Sequence, residues 1–228
     1  MLKIMNKIES ALQRTRDTKA LFIGKGVVAR TAEMFNKLFP GKTAVIIADT
    51  NTWEVAGKAV EASLQEAGVP MAEKLVIDDP ELYAEWRFIE MIEDFLKDRD
   101  VIAIAVGSGV INDLTKLVSG RLGRKYMCVG TAVSMDGYTA YGASITKDGN
   151  KETYDCPAPY GFVMDPEIAA EAPKELAASG YADLIAKIPA AADWMLADAT
   201  GNEKIDDFSW HLVQDGLKEA LSAPAEVH

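Results

Sequence analysis

The chain has 228 residues, 49% of them hydrophobic and 26% charged, with a formal net charge of −11. That length and composition suit one large or two small globular domains with a sizeable core. The acidic balance, with no Lys/Arg run to offset it, argues against nucleic acid or an anionic membrane surface as a partner.

In chain order, the first 30 residues mix Lys, Arg, Glu and Asp without an apolar signal core, so a cytoplasmic location is expected. Leu21–Ile23 predicts a short strand that meets Gly24-Lys25-Gly26. Ala44–Ala48 predicts a buried strand ending at Asp49, from its β-branched run. Further strands are predicted at Leu75–Ile77, Val101–Val106, Tyr126–Val129 and Phe162–Met164. Helices are predicted between them over Val55–Ala67, Glu81–Lys97 and Asn112–Leu122; in the second, Leu82, Trp86, Ile89, Ile92 and Leu96 recur at helical spacing. This alternation predicts an α/β, Rossmann-like domain whose mostly parallel sheet is covered on both faces. The longest uncharged run, Val101–Asn112, has 12 residues, short of the ~18 a membrane span needs. Cys128 and Cys156 lack metal-type spacing and read as buried free thiols.

Ala143–Thr146 and Lys151–Tyr154 flank K-D-G-N, a hairpin signal. After Pro166 the strands stop, and Ala169–Ala178, Tyr181–Ala199 and Ile205–Leu221 read as alanine-rich helices. The composition shift places a boundary near 157, dividing an α/β part (1–157) from a helical part (158–228).

Two stretches carry candidate chemistry. Gly107-Ser108-Gly109 lies between a buried strand and a helix, where glycines allow close approach and the first helical amides lack partners. Such a loop holds a diphosphate without a basic side chain, or is only a turn. It is not G-x-G-x-x-G, because Asn112 stands where the third glycine would, nor G-x-x-x-x-G-K-[ST]. Asp49, at another strand tip, suits a ribose 2′-hydroxyl and would repel a 2′-phosphate, favouring NAD over NADP; it equally suits a helix N-cap in A-D-T-N-T-W. The second stretch, Gly130–Ser144, gathers Thr131, Ser134 and Asp136 after a strand, as a site or as a plain Gly/Ser loop with a capping acid.

The pieces A-D-T-N-T-W at 48–53, G-S-G-V-I-N-D-L-T-K at 107–116, T-A-V-S-M-D-G-Y at 131–138 and S-G-Y-A-D-L-I-A-K at 179–187 occur together and in order. With them the chain resembles the iron-containing alcohol dehydrogenase and dehydroquinate synthase-like superfamily, and within it the glycerol-1-phosphate dehydrogenases. The resemblance implies an NAD(P)-binding α/β domain followed by an all-helical domain with one divalent metal (zinc, nickel or iron). It implies hydride transfer between NAD(P)H and a small phosphorylated ketone, dihydroxyacetone phosphate, giving sn-glycerol 1-phosphate. It leaves room for a homo-oligomer. Carried over by motif, Gly107, Ser108, Gly109, Val110, Ile111, Asn112 and Asp113 would cradle the diphosphate. Thr131, Ala132, Val133 and Ser134 would line the cofactor further along, and Asp49 would hold the adenosine ribose. Asp136 would touch the substrate, Asp183 would be both metal ligand and substrate neighbour, and Lys116 would be supporting.

The pattern also breaks. The family's metal takes one Asp and two His, and this chain has only His211 and His228. His211, in W-H-L-V-Q-D-G-L, reads as a helix-surface or packing residue, and His228 is terminal. Ala140 stands where relatives tend to carry a serine, and no Arg or Lys is identifiable for a substrate phosphate. Asp183 by itself also reads as an acid in the first turn of a helix starting at Ser179-Gly180. The expectation is therefore a family member cut off inside its second domain, with its own turnover in question. The alternatives are a catalytically incomplete nucleotide-binding remnant, a dehydroquinate synthase-like lyase and a glycerol dehydrogenase.

Overall fold

The computed structural model describes residues 2–222. The chain opens with helix Leu2–Arg14 (α1) and strand Ala20–Ile23 (β1). A 3-10 turn at Val27–Arg30 and helix Thr31–Leu38 (α2) lead to Thr43–Asp49 (β2). Thr50–Thr52 (α3) starts a helix that passes through one π turn, Trp53–Gly57, into Lys58–Glu66 (α4). Leu75–Ile77 (β3), Trp86–Leu96 (α5), Val101–Gly107 (β4), Gly109–Arg121 (α6) and Met127–Gly130 (β5) follow. A hairpin of Ala143–Lys147 (β6) and Asn150–Tyr154 (β7) precedes Gly161–Met164 (β8). The helices Pro166–Ala170 (α7), Lys174–Ile185 (α8), Lys187–Ala199 (α9), Asp207–Gln214 (α10) and Leu217–Ser222 (α11) come last.

Six strands form one sheet in the order β1-β8-β5-β4-β2-β3, and all neighbouring pairs are parallel. Side chains alternate between its faces. Val45, Ile47, Ala103, Ala105, Cys128 and Phe162 pack on one face against α5, α6 and β6. Ala44, Ile46, Ile104, Val106, Val129 and Val163 pack on the other against α2 and α4. This is why β2 and β4 read as unbroken apolar runs: both faces are buried. The hairpin signal is realised with Asp148 and Gly149 both at positive φ, 51° and 80°, as a two-residue turn requires. Both cysteines are buried and free; burial pushes the Cys156 thiol up to about 11 and Cys128 higher still.

The structure departs from the sequence expectations at several places. α1 and α2 were not among the predicted elements; they are amphipathic helices of 13 and 8 residues without strong punctuation. α1 packs near the end of the chain, with the Arg14 guanidinium 4.1 Å from the Phe208 ring centre. α6 begins at Gly109, three residues before the predicted start. The predicted helix 169–178 is interrupted at Pro173, and α8 runs straight through Ser179-Gly180. The predicted helix 181–199 breaks at Ala186, because Pro189 has no N–H for the Ile185 carbonyl. The predicted helix 205–221 divides at Gly216, which has φ 86°. β8 lies beyond residue 157 yet pairs with both β1 and β5. We propose that the boundary between the two parts follows Met164 rather than residue 157. Among the described residues no helix is long and apolar enough to cross a membrane.

Candidate functional site

The sheet order brings three strand tips together. β2 ends at Asp49, β4 at Gly107 and β5 at Gly130. The registers pair Ala48 with Val106 and Gly107 with Gly130, so the three tips lie side by side. β3 lies outside β2 at the sheet edge, whereas β5 and β8 extend the sheet on the far side of β4. The helix after β2 covers one face and the helix after β4 the other. The crevice between β2 and β4 is therefore a topological switch point, and ligands of open α/β sheets bind outside the carboxyl ends of the strands at such points.

Gly107 ends β4, and Ser108 is an extended N-cap whose side chain makes no capping bond. A Cβ at 107 would lie 2.7 Å from Ile111 Cβ, so only glycine lets α6 start this close to the strand. Asn112 is the first to return its N–H to a carbonyl, that of Ser108 at 3.1 Å. The amides of Gly109, Val110 and Ile111 have no protein acceptor among the described residues, which leaves three donors at the positive end of a 13-residue helix.

The motif's remaining letters serve the structure. Ile111 is core, and Asn112 is fully buried, accepting from the Tyr126 hydroxyl (3.0 Å) and donating to the Tyr138 carbonyl (3.4 Å). Asp113 accepts from the Ser144 amide (3.2 Å) and lies 3.4 Å from Lys116 Nζ. Burial raises the Asp113 carboxyl despite these partners. Lys116, with 1% of its surface exposed, donates to the carbonyls of Gly137 (3.2 Å), Ala140 (3.1 Å) and Gly142 (3.1 Å). The side chains of Ile111, Asn112 and Asp113 are thus engaged in the core or with the 137–144 segment.

Asp49 takes the helix-cap role that the sequence offered. Its Oδ1 accepts from the amides of Asn51 and Thr52, both at 2.9 Å, in a capping box with Thr52. Its Oδ2 has no hydrogen-bond partner among the described residues. In the loop after β5, Thr131 and Ala132 are buried, Ser134 is half-buried and Val133 is exposed. The Thr131 amide donates to the Gly107 carbonyl at 3.2 Å, and the Tyr138 hydroxyl to the Ala132 carbonyl at 2.7 Å.

The two acids assigned to substrate and metal do meet. The Asp136 amide donates to Asp183 Oδ2 at 2.9 Å. Lys187, which the sequence reading did not single out, donates to Asp136 Oδ2 at 2.8 Å and lies 3.8 Å from Asp183 Oδ2. Its spacing from Asp183, one helical turn, was the available signal. Partial burial opposes the Asp183 charge, but the Asp136 amide and the Lys187 ammonium outweigh it and lower the carboxyl. A catalytic divalent site usually needs about three protein ligands. Among the described residues no group of three or more His, Cys, Asp or Glu side chains converges. His211 is exposed on α10 and pairs with Asp215 at 3.3 Å, and His228 lies outside the described residues. The described donor set therefore does not fit a metal centre.

The sequence model of a family described as iron-containing alcohol dehydrogenase matches residues 22–173. The glycerol-1-phosphate dehydrogenase (NAD(P)+) of Bacillus velezensis is 31% identical over 187 residues, 80% of this chain and 47% of that protein. The enzyme of that name from Pyrococcus furiosus is 30% identical over 192 residues, 84% of this chain and 54% of its own length. The chain spans about half the length of the curated relatives it matches. In fold it is similar to maleylacetate reductase from Agrobacterium tumefaciens, with a TM-score of 0.64 at 17% identity over 93% of this chain and 59% of that one. With a family match covering well over half of the 228 residues and a parallel sheet whose glycine loop opens at the switch point, the chain belongs to the iron-containing alcohol dehydrogenase family.

Proposed function

We propose that this chain is the dinucleotide-binding part of an NAD(P)-dependent oxidoreductase of the glycerol-1-phosphate dehydrogenase type. The substrate pair in this reading is dihydroxyacetone phosphate and sn-glycerol 1-phosphate. The observation that carries it is the set of three unpartnered amides, Gly109 to Ile111, at the switch point beside Asp49. A diphosphate there gains charge-assisted hydrogen bonds with no lysine or arginine needed. Thr131 to Ser134 would continue the cofactor wall, and Asp136 would face the substrate. The chemistry is hydride transfer from the reduced nicotinamide to the carbonyl carbon, with a proton added to the oxygen, and the reverse. The chain's residues would contribute orientation: a fixed diphosphate sets where the nicotinamide carbon stands. A second reading is a nucleotide-binding chain without turnover; the lack of a three-donor group among the described residues favours it.

NADH is expected to bind saturably, with a dissociation constant in the micromolar to millimolar range; a flat titration up to millimolar NADH would remove both readings. Asp49→Asn keeps an acceptor for the helix cap while removing the negative charge. It is therefore expected to raise NADPH affinity relative to NADH by about tenfold. An unchanged ratio in paired fluorescence titrations would dismiss the ribose role.

A further inference from the structure

The geometry points to Lys187 as a built-in cation that fills the place between the Asp136 and Asp183 carboxylates and keeps external cations out of it. Three observations carry this. The ammonium bridges two acids 47 residues apart in sequence, donating to one at 2.8 Å and lying 3.8 Å from the other. The acids are also fixed to each other, through the Asp136 amide on Asp183 Oδ2. The frame holding them is tight as well: Gly180 on α8 packs so closely on the Val133 carbonyl that a Cβ there would come within 1.8 Å of the oxygen. Lys187 is the first residue of α9, where the helix dipole disfavours a positive side chain. Among the described residues Asp136 and Asp183 are the acids paired with it.

The Oδ2 oxygens of both acids, which a hard divalent ion bridging them would use, thus already face an ammonium. An external cation that bridges the two acids through these oxygens must displace Lys187 first. Removing the ammonium should leave two facing carboxylates with no counter-ion, a weak oxygen-donor site. The inference shares its acids with the proposed function and takes its catalytic meaning from that reading, but its test does not depend on cofactor binding.

The test is Mn2+ binding to the full chain, read from the electron paramagnetic resonance signal of free Mn2+. Lys187→Met is expected to bind one Mn2+ about tenfold more tightly than the wild type, from the loss of one nearby positive charge. Lys187→Gln, which keeps a hydrogen bond to Asp136 without the charge, should behave the same way if the methionine variant folds poorly. Adding Asp183→Asn to either variant should abolish the gain. Equal or weaker Mn2+ binding by both single variants, or a gain that survives Asp183→Asn, would overturn the inference. NADH titration of the same samples separates the two claims: absent NADH binding with the Mn2+ gain intact would defeat the cofactor reading alone.

Discussion

Replacing Lys116 by methionine is expected to cost about 3–5 kcal/mol of unfolding free energy, the range for removing one partner of a buried charged network. The side chain is almost wholly enclosed, and its ammonium serves the carbonyls of Gly137, Ala140 and Gly142 as well as Asp113. Methionine fills similar volume but donates nothing. Three carbonyls would lose their donor, and the mostly buried Asp113 would lose its nearest positive charge. The affected loop follows Asp136 directly, so the variant should also bind NADH more weakly than its remaining folded fraction predicts. Urea denaturation followed by far-ultraviolet circular dichroism reads the first effect. A loss under about 1 kcal/mol would mean that water replaces the ammonium, and that Lys116 does not organise the loop.

Gly180→Ala gives a prediction whose sign is diagnostic. Gly180 lies inside α8, where helix propensity alone favours alanine by about 0.5–1 kcal/mol. The contact works the other way. The new Cβ would lie 1.8 Å from the Val133 oxygen and 2.9 Å from its carbonyl carbon, both backbone atoms that cannot rotate aside. α8 would have to lift off the loop, stretching the Asp136–Asp183 hydrogen bond. We expect a net destabilisation of about 2–4 kcal/mol, as for other forced overpacking with loss of a polar contact. Faster proteolysis in the segment after Met164 should accompany it. A stabilised variant would show that α8 and the loop are not in this contact.

The same glycine shows why part of the fold was not legible in the sequence. Ser179-Gly180 looks like a helix start because both residues punctuate helices locally. What requires glycine there is Val133, 47 residues away, and no local pattern carries that contact. The strands were legible for the opposite reason. Burial on both faces of the sheet turns β2 and β4 into continuous apolar runs that a short window detects. The motif letters of 107–116 serve different ends in the fold. Gly107 and Gly109 form the turn from β4 into α6, whereas Asn112, Asp113 and Lys116 hold the neighbouring loop in place. Asp49 was ambiguous because a carboxylate has two oxygens, and here one caps a helix while the other has no partner among the described residues. Lys187 was one helical turn from Asp183 and legible as such, but its bond to Asp136 crosses from α9 to the β5 loop.

The proposed anion cradle at the start of α6 is tested most directly by NADH titration of the wild type beside Gly109→Ala and Gly109→Pro. Both variants add a Cβ whose nearest neighbours are flexible Met135 atoms, at 3.3 and 3.5 Å. Proline suits this first helical position, because Ser108 before it is extended, and differs from alanine chiefly in lacking the N–H. The expected result is alanine within about threefold of the wild type and proline weaker by tenfold or more, the cost of one charge-assisted hydrogen bond of about 1.5–3 kcal/mol. Proline and alanine variants with equal NADH affinity and equal melting temperatures would contradict a diphosphate held by these amides.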